Sequence, residues 1–260
     1  MNILVCVKQI VDVDAQLRID ANGRELATDP HTEYRLNRYD EYAVEAALRL
    51  REAAGRGSVA VASVGPPRVV QVLRRAMGMG ADRGFHIAAD ANLDARSIAA
   101  CLAELCRRER FDLVLAGVMS EDAMQSAVGP MIAALLDYPC VTNVVDMGLD
   151  EECDAAVTRE VEGGRREIFA LRFPALVTVQ SGPNKPRYPK LSLMLRANQS
   201  EVAELSAVEL DAGCRERAIT KMEFPQQHRQ TRFLAGDTSA KAAELARLLR
   251  ERHYFATDKR

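Results

Sequence analysis

The strongest constraint in this sequence is an alternation. Over about the first 140 residues, short β-branched runs take turns with segments of helical periodicity. "NILVCVKQI", starting at residue 2, reads as a buried parallel strand. In "DEYAVEAALRLREAAG", Tyr42, Ala43, Ala46, Ala47 and Leu50 recur at helical spacing, and Gly55 supplies a stop. "SVAVASVGPP" is a second strand broken by Gly-Pro-Pro, "RVVQVLRRAMGMG" a helix closed by glycine, and "GFHIA" a third strand. "ARSIAACLAELCRRER" is amphipathic, "FDLVLAG" is a strand, "QSAVGPMIAALLDYP" a helix and "PCVTNVV" a fifth strand. Such a grammar implies an α/β fold: a doubly wound, mostly parallel sheet covered on both faces, with right-handed crossovers.

After Met147 the pattern changes. "AAVTREVEGGRREIFALRF" predicts a β-hairpin turning at Gly163-Gly164, and "PALVTVQSG" a further strand returning to the main sheet. From Pro183 to about residue 236 the chain reads as irregular, and "TSAKAAELARLLRERH" as a last helix. A polar segment of that length is long for a loop in a compact domain. It reads either as an arm lying on another chain or as a surface excursion. We therefore expect an α/β domain over 1–200 with a hairpin insertion, and a C-terminal arm plus helix over 201–260.

Charge and composition narrow the functional classes. Lys and Arg number 35 against 37 acidic residues, a net charge of -2, which argues against nucleic acid or an anionic membrane as the main partner. The apolar start "NILVCV" is too short to span a bilayer, and no later apolar run is long enough to do so, so a soluble, cytoplasmic protein without membrane insertion is expected. The six cysteines form no C-x-x-C pair; several sit inside apolar runs and read as buried free thiols, which fits a reducing compartment. Four scattered histidines give no metal-ligand spacing.

Three breaks follow strands: Lys8 to Asp12, Ser63 to Pro67, and Ala116 to Gly129. In a doubly wound sheet these turns lie where ligands collect. Neither G-x-G-x-x-G nor a Walker sequence is present. In "LAGVMSEDAMQSAVGP", Gly117 allows close backbone approach, and the amides of Gln125 to Val128 can face an anion. Equally, Ser120 can be an N-cap and Asp122 a first-turn acid. In "LNRYDEYAVE", Asn37 and Asp40 can meet a base edge and a ribose hydroxyl, or simply cap a helix. In "NKPRYPKLSLMLRANQ", Leu191, Leu193, Met194 and Leu195 form an apolar cluster on a loop, either a partner site or a buried turn. No catalytic triad, Cys-His pair or carboxylate pair is readable, which points to a carrier or binding role.

In order, "VCVKQIVD", "NRYDEYAVEAALRL", "VGPP", "AMGMGADRGFHI", "DLVLAG…VGPMIAALLDYP" and "VEGGRREIFALRFPALVTVQSGPNKPRYPKL" resemble the small (beta) subunit of electron-transfer flavoproteins. The resemblance covers nearly all of residues 1 to about 200. It implies an adenine-nucleotide alpha-hydrolase-like fold and a heterodimer with an alpha subunit whose FAD this chain would wall. It implies a structural AMP or, in electron-bifurcating members that use NADH, a second FAD. The implied nucleotide contacts are Cys6, Asn37, Arg38, Tyr39, Asp40, Val64, and the loop Gly117, Val118, Met119, Ser120, Glu121, Asp122, Ala123, Met124, Gln125, Ser126, Ala127 and Val128. The implied recognition segment for flavin-dependent dehydrogenases holds Leu191, Leu193 and Met194, with Leu191 as anchor, and electrons would pass on to a membrane acceptor. This chain departs from the family at Val118-Met119, at Gln125-Ser126-Ala127-Val128, and at Val13, where other members often carry Tyr or Thr near the flavin. The other functional reading is a stand-alone nucleotide-binding signalling module.

Overall fold

The structure is a computed structural model that describes residues 1–12, 17–151, 154–210, 213–225, 231–252 and 254. Val13, named above, lies outside the described residues, as do Cys153, His228 and His253 among the cysteines and histidines. The chain divides into two compact units, Met1–Lys221 and Met222–Arg260.

The first unit is built on a nine-stranded sheet in the order β11-β5-β4-β1-β6-β10-β7-β8-β9. Its strands are β1 (Asn2–Cys6), β4 (Ser58–Gly65), β5 (Arg83–Ala88), β6 (Leu113–Gly117), β7 (Cys140–Leu149), β8 (Ala155–Val161), β9 (Arg165–Leu171), β10 (Ala175–Val179) and β11 (Val202–Ser206). The strands from β11 to β7 pair in parallel, and β8 pairs antiparallel with both β7 and β9. The helices are α1 (Arg38–Ala54), α2 (Val70–Met79), α3 (Ala95–Glu109), α4 (Val128–Leu136) and α5 (Leu191–Gln199). Strand β1 shows why helices cover both faces. Its alternating side chains send Ile3 and Val5 into one core with α1 and α2, and Leu4 and Cys6 into a second with α3 and α4. The doubly wound, mostly parallel sheet and the hairpin are thus as the pattern predicts. In α1 the buried stripe is Ala43, Val44, Ala47, Leu48 and Leu50, with Tyr42 and Ala46 at its edge. Burying a leucine such as Leu48 fully contributes roughly 1.5–3 kcal/mol.

Three departures from the sequence reading have physical causes. The polar stretch before α1 contains β3 (Tyr34–Leu36), which pairs antiparallel with β2 (Gln9–Val11) in a separate two-stranded sheet. Strands of three residues carry too little periodicity to be read. The expected irregular arm is partly regular: 191–199 is helix α5, and β11 extends the parallel sheet beside β5. The boundary drawn at 200 therefore falls between two elements of one unit, which runs on to Lys221. The apolar "loop" is correspondingly a helix, with Leu191 and Leu195 exposed and Leu193 and Met194 half-buried. Its underside meets α2, where Lys190 N–H donates to Gly78 O at 3.3 Å. Helix α4 starts at Val128, not at Gln125, so Ser120 caps no helix.

Two ion pairs from one guanidinium fix the approach to α5. The Arg187 guanidinium reaches Glu45 Oε2 at 2.8 Å and Glu52 at 2.6 Å, both on α1, and the Arg187 amide also donates to Glu45. Only 6% of the Glu45 side chain is exposed, so its charge depends on that partner. The second unit carries helix α6 (Thr238–Glu251), capped by Asp237, which accepts from Ala240 N at 2.8 Å. Arg187→Ala is expected to destabilise the first unit by about 2–4 kcal/mol, since it strands the Glu45 carboxylate. Urea unfolding of wild type and variant measures this, and a change under about 0.5 kcal/mol contradicts it.

Candidate nucleotide cleft

The strand order reverses at β1: the chain moves from β1 outward through β4 and β5, then crosses back to β6 on the other side. Ligands of open α/β sheets bind outside the carboxyl ends of the strands at such a point. A cleft of about 260 Å³ lies there, lined by the ends of β1, β4 and β6 and by the loop after β6.

A clamp at the start of α1 shapes that loop. Asn37 precedes the helix but makes no side-chain cap bond. Instead its Nδ2 donates to Met119 O at 2.9 Å and its Oδ1 accepts from Glu121 N at 3.1 Å. Asp40 accepts from Lys8 N through Oδ2 at 2.7 Å and from Gly117 N through Oδ1 at 3.0 Å. One carboxylate thus ties the end of β1 to the end of β6, and the capping alternative for both residues is set aside. This close approach needs a glycine. A Cβ at Gly117 would overlap Asp40 Oδ1 and lie 2.8 Å from Tyr39 Cβ.

The rest of the loop is held by charges. Lys8 Nζ pairs with Asp122 at 2.7 Å and donates to the Ser120 hydroxyl at 3.2 Å. Burial pulls the Asp122 carboxyl upward, but the Lys8 ammonium and the Ser120 hydroxyl outweigh it and leave it below its ordinary value. Glu121 turns away, accepting from Arg35 and from the Arg38 amide at the start of α1. Met124 and Ser126 both take left-handed backbone, at φ 51. For residues with a side chain that conformation costs on the order of 1 kcal/mol each, and such strain concentrates at functional sites. Past them, α4 begins at Val128 with no side-chain cap bond from Ala127. Its first amides and the positive end of its dipole border the cleft.

Of the expected contacts, Cys6, Asn37, Asp40, Val64, Gly117 to Ser120, Asp122, Ala123 and Gln125 to Val128 line the cleft. Arg38, Tyr39, Glu121 and Met124 do not: Glu121 serves α1, Tyr39 packs behind Gly117, and the side chains of Arg38 and Met124 face outward. Residue reading missed Lys8 and Gln9 as side chains, together with Arg68, Ile98 and Arg217. Gln9 donates to Arg68 O at 3.0 Å while its Oε1 is buried without a hydrogen-bond partner. Nothing in the sequence pointed to Arg217, which reaches the rim only because residues 213–217 fold back over α3. Cys6 is buried at the cleft floor, and burial first, then Cys106 and Asp40, push its thiol well above the ordinary value. It is a neutral wall, not a nucleophile.

A family profile described as electron transfer flavoprotein domain matches residues 26–211. The electron transfer flavoprotein subunit beta of Bacillus subtilis is 33% identical over 257 residues, covering 96% of this chain and 98% of the relative. That of Methylophilus methylotrophus is 31% identical with the same coverage, and that of Bos taurus 33% identical over 86% of this chain and 89% of the relative. The chain belongs to the electron transfer flavoprotein family, as a beta subunit. It is an electron-carrier subunit, and electron transport is the process it serves. Among the described residues, no helix is long and apolar enough to cross a membrane.

Burial outweighs two amide hydrogen bonds and the Lys8 charge at Asp40, raising its pKa to about 7. The unfolded chain releases this proton near its ordinary 3.8, whereas the folded chain holds it to about 7. Between those values the folded state binds more protons, so stability falls as pH rises through this window and levels off above it. The loss is on the order of 4 kcal/mol. Chemical denaturation at pH 4 to 8 is expected to show this decline in wild type, and a markedly shallower one in Asp40→Asn. Matching slopes would remove Asp40 as its source. Gly117→Ala is expected to cost about 2 kcal/mol or more at any pH in the same assay, because the overlap is steric.

Proposed function

We propose that this chain pairs with an electron-transfer flavoprotein alpha subunit, walls that subunit's FAD, and holds an AMP in the cleft at the β1–β6 switch point. The observation that carries the nucleotide reading is the uncapped start of α4, which borders the cleft behind a loop with two left-handed residues. Amides of that kind hold phosphate without a basic side chain. This answers the departure at Gln125-Ser126-Ala127-Val128: the anion is met by backbone. Gln9 Oε1, buried and unpartnered, is suited to a hydroxyl or amino group of the same ligand. About 260 Å³ lies at the small end of ligand sites, nearer a mononucleotide than a dinucleotide.

Electron transfer itself would be the flavin's chemistry. This chain's residues would orient the adenine nucleotide, exclude water from the subunit contact, and present α5 to a flavin-dependent dehydrogenase. Leu191 suits the last role, being 76% exposed on a helix that Arg187 and Gly78 fix from beneath. Electrons would then pass to a membrane acceptor.

Denaturing the co-purified heterodimer and identifying released nucleotides by chromatography and mass is the direct test. One FAD and one AMP per dimer is the expected result. Two FAD and no AMP would make this an electron-bifurcating subunit, and FAD alone would overturn the cleft reading. A chain that purifies as a stable nucleotide-binding monomer would instead support a stand-alone signalling module. Leu191→Glu is expected to slow electron transfer from the donor dehydrogenase by more than about tenfold while leaving nucleotide content unchanged. Steady-state rates at varied donor concentration measure the first, and the nucleotide assay the second.

A further inference from the structure

Residues 213–217 form a strap across the start of α3. Arg215 N–H donates to Ser97 Oγ at 2.7 Å, Asp94 N–H to Arg215 O at 3.0 Å, and Arg217 N–H to Asn92 O at 2.7 Å, with Leu93 and Glu216 in an antiparallel bridge. The strap ends at Arg217, which lines the rim of the cleft. At its other end the Cys214 sulfur lies 3.6 Å from that of Cys101. Cys101 is fully buried in α3, whereas Cys214 is exposed. The two are 113 residues apart in the chain, so only the fold brings them together.

We propose that Cys101 and Cys214 are a thiol–disulfide pair, oxidised by a low-molecular-weight disulfide, and that the bond fastens the strap which carries Arg217 to the rim of the cleft. The roles follow from access. Burial, then the contact with Cys214, pushes the Cys101 thiol up to about 12, so it stays protonated and shielded. Exposed Cys214 reacts first. Its thiolate attacks the external disulfide, forming a mixed disulfide and releasing one thiolate. The departing thiolate takes the Cys101 proton as the Cys101 sulfur, now a thiolate, attacks the Cys214 sulfur and displaces it. Two cysteine thiols become one cystine, and one external disulfide becomes two thiols, so electrons and protons balance. The sulfurs must close from 3.6 Å to about 2.05 Å. That movement falls on the strap, because Cys101 is fixed in the core. Cys106, buried in the same helix, is the internal control.

The test uses the full chain, in the complex it purifies with, equilibrated with oxidised and reduced glutathione. Trypsin should release residues 97–107 joined to 197–215, with fragmentation placing the bond at Cys101. Cys106→Ala should retain this product and Cys214→Ser should lose it. On oxidation, amide exchange at Arg215 and Arg217 should slow by about tenfold in wild type and not in Cys214→Ser. Glutathione retained on Cys214, a bond from Cys214 to Cys106, or unchanged exchange after the bond has formed would each overturn the proposal. The bond and its placement by fragmentation are read the same whether or not the cleft holds a nucleotide.

Discussion

A buried carboxylate with two backbone donors sets the geometry of the cleft. Asp40 sits at the start of α1 and accepts from Lys8 N, where the chain leaves β1, and from Gly117 N, where it leaves β6. Without it, neighbouring parallel strands would end in two loops with no fixed spacing. With it, the loop after β6 has a defined origin. Asn37 then sets its next turn and Lys8 its middle, through Met119, Glu121 and Asp122. Burial makes this charge costly, as its raised pKa records, and the cost is localised where position matters more than stability.

The same economy governs the start of α4. At α3, Asp94 accepts from Ser97 N, whereas the matching third position of α4 is Pro130, which has no N–H to give. At α4 the preceding residue is Ala127, and the path to it runs through Met124 and Ser126 in left-handed conformation. Gly129 lets the helix settle against β10, since a Cβ there would overlap Thr178 Cγ2. The helix is therefore brought close to the sheet with its positive end open toward the cleft.

How much of this was legible depended on the range of the interaction. The alternation of β-branched runs with helical stripes is local, and it yielded the sheet, its helices and the hairpin. Its failures were also local: β2 and β3 are three residues each, and α5 and β11 lie in a segment whose prolines and charges mask their periodicity. The cleft's position followed from three post-strand breaks, but roles did not. Asn37 and Asp40 look like helix caps because cap residues and loop-clamping residues share the same short polar side chains; which partner they take is decided by a strand end 77 residues away in the case of Gly117. Arg217 could not be read at all, because its place depends on a strap bonded to Ser97 and Asn92.

These ranges bear on how a family can keep its site while its loop sequence drifts. In the proposed reading the side chains of Gln125 to Val128 carry little of the binding, because an anion held by amides and a helix dipole senses backbone direction rather than side-chain identity. That direction is dictated by Asp40, Asn37 and Gly117, and by the closeness that Gly129 permits. Substitution in the loop therefore alters contacts one at a time, whereas substitution in the clamp moves every amide together. Fewer positions bear the constraint, and they lie behind the cleft rather than in it. In the proposed reading, where the subunit contributes position and a flavin does the redox chemistry, that is where selection for rigidity should act.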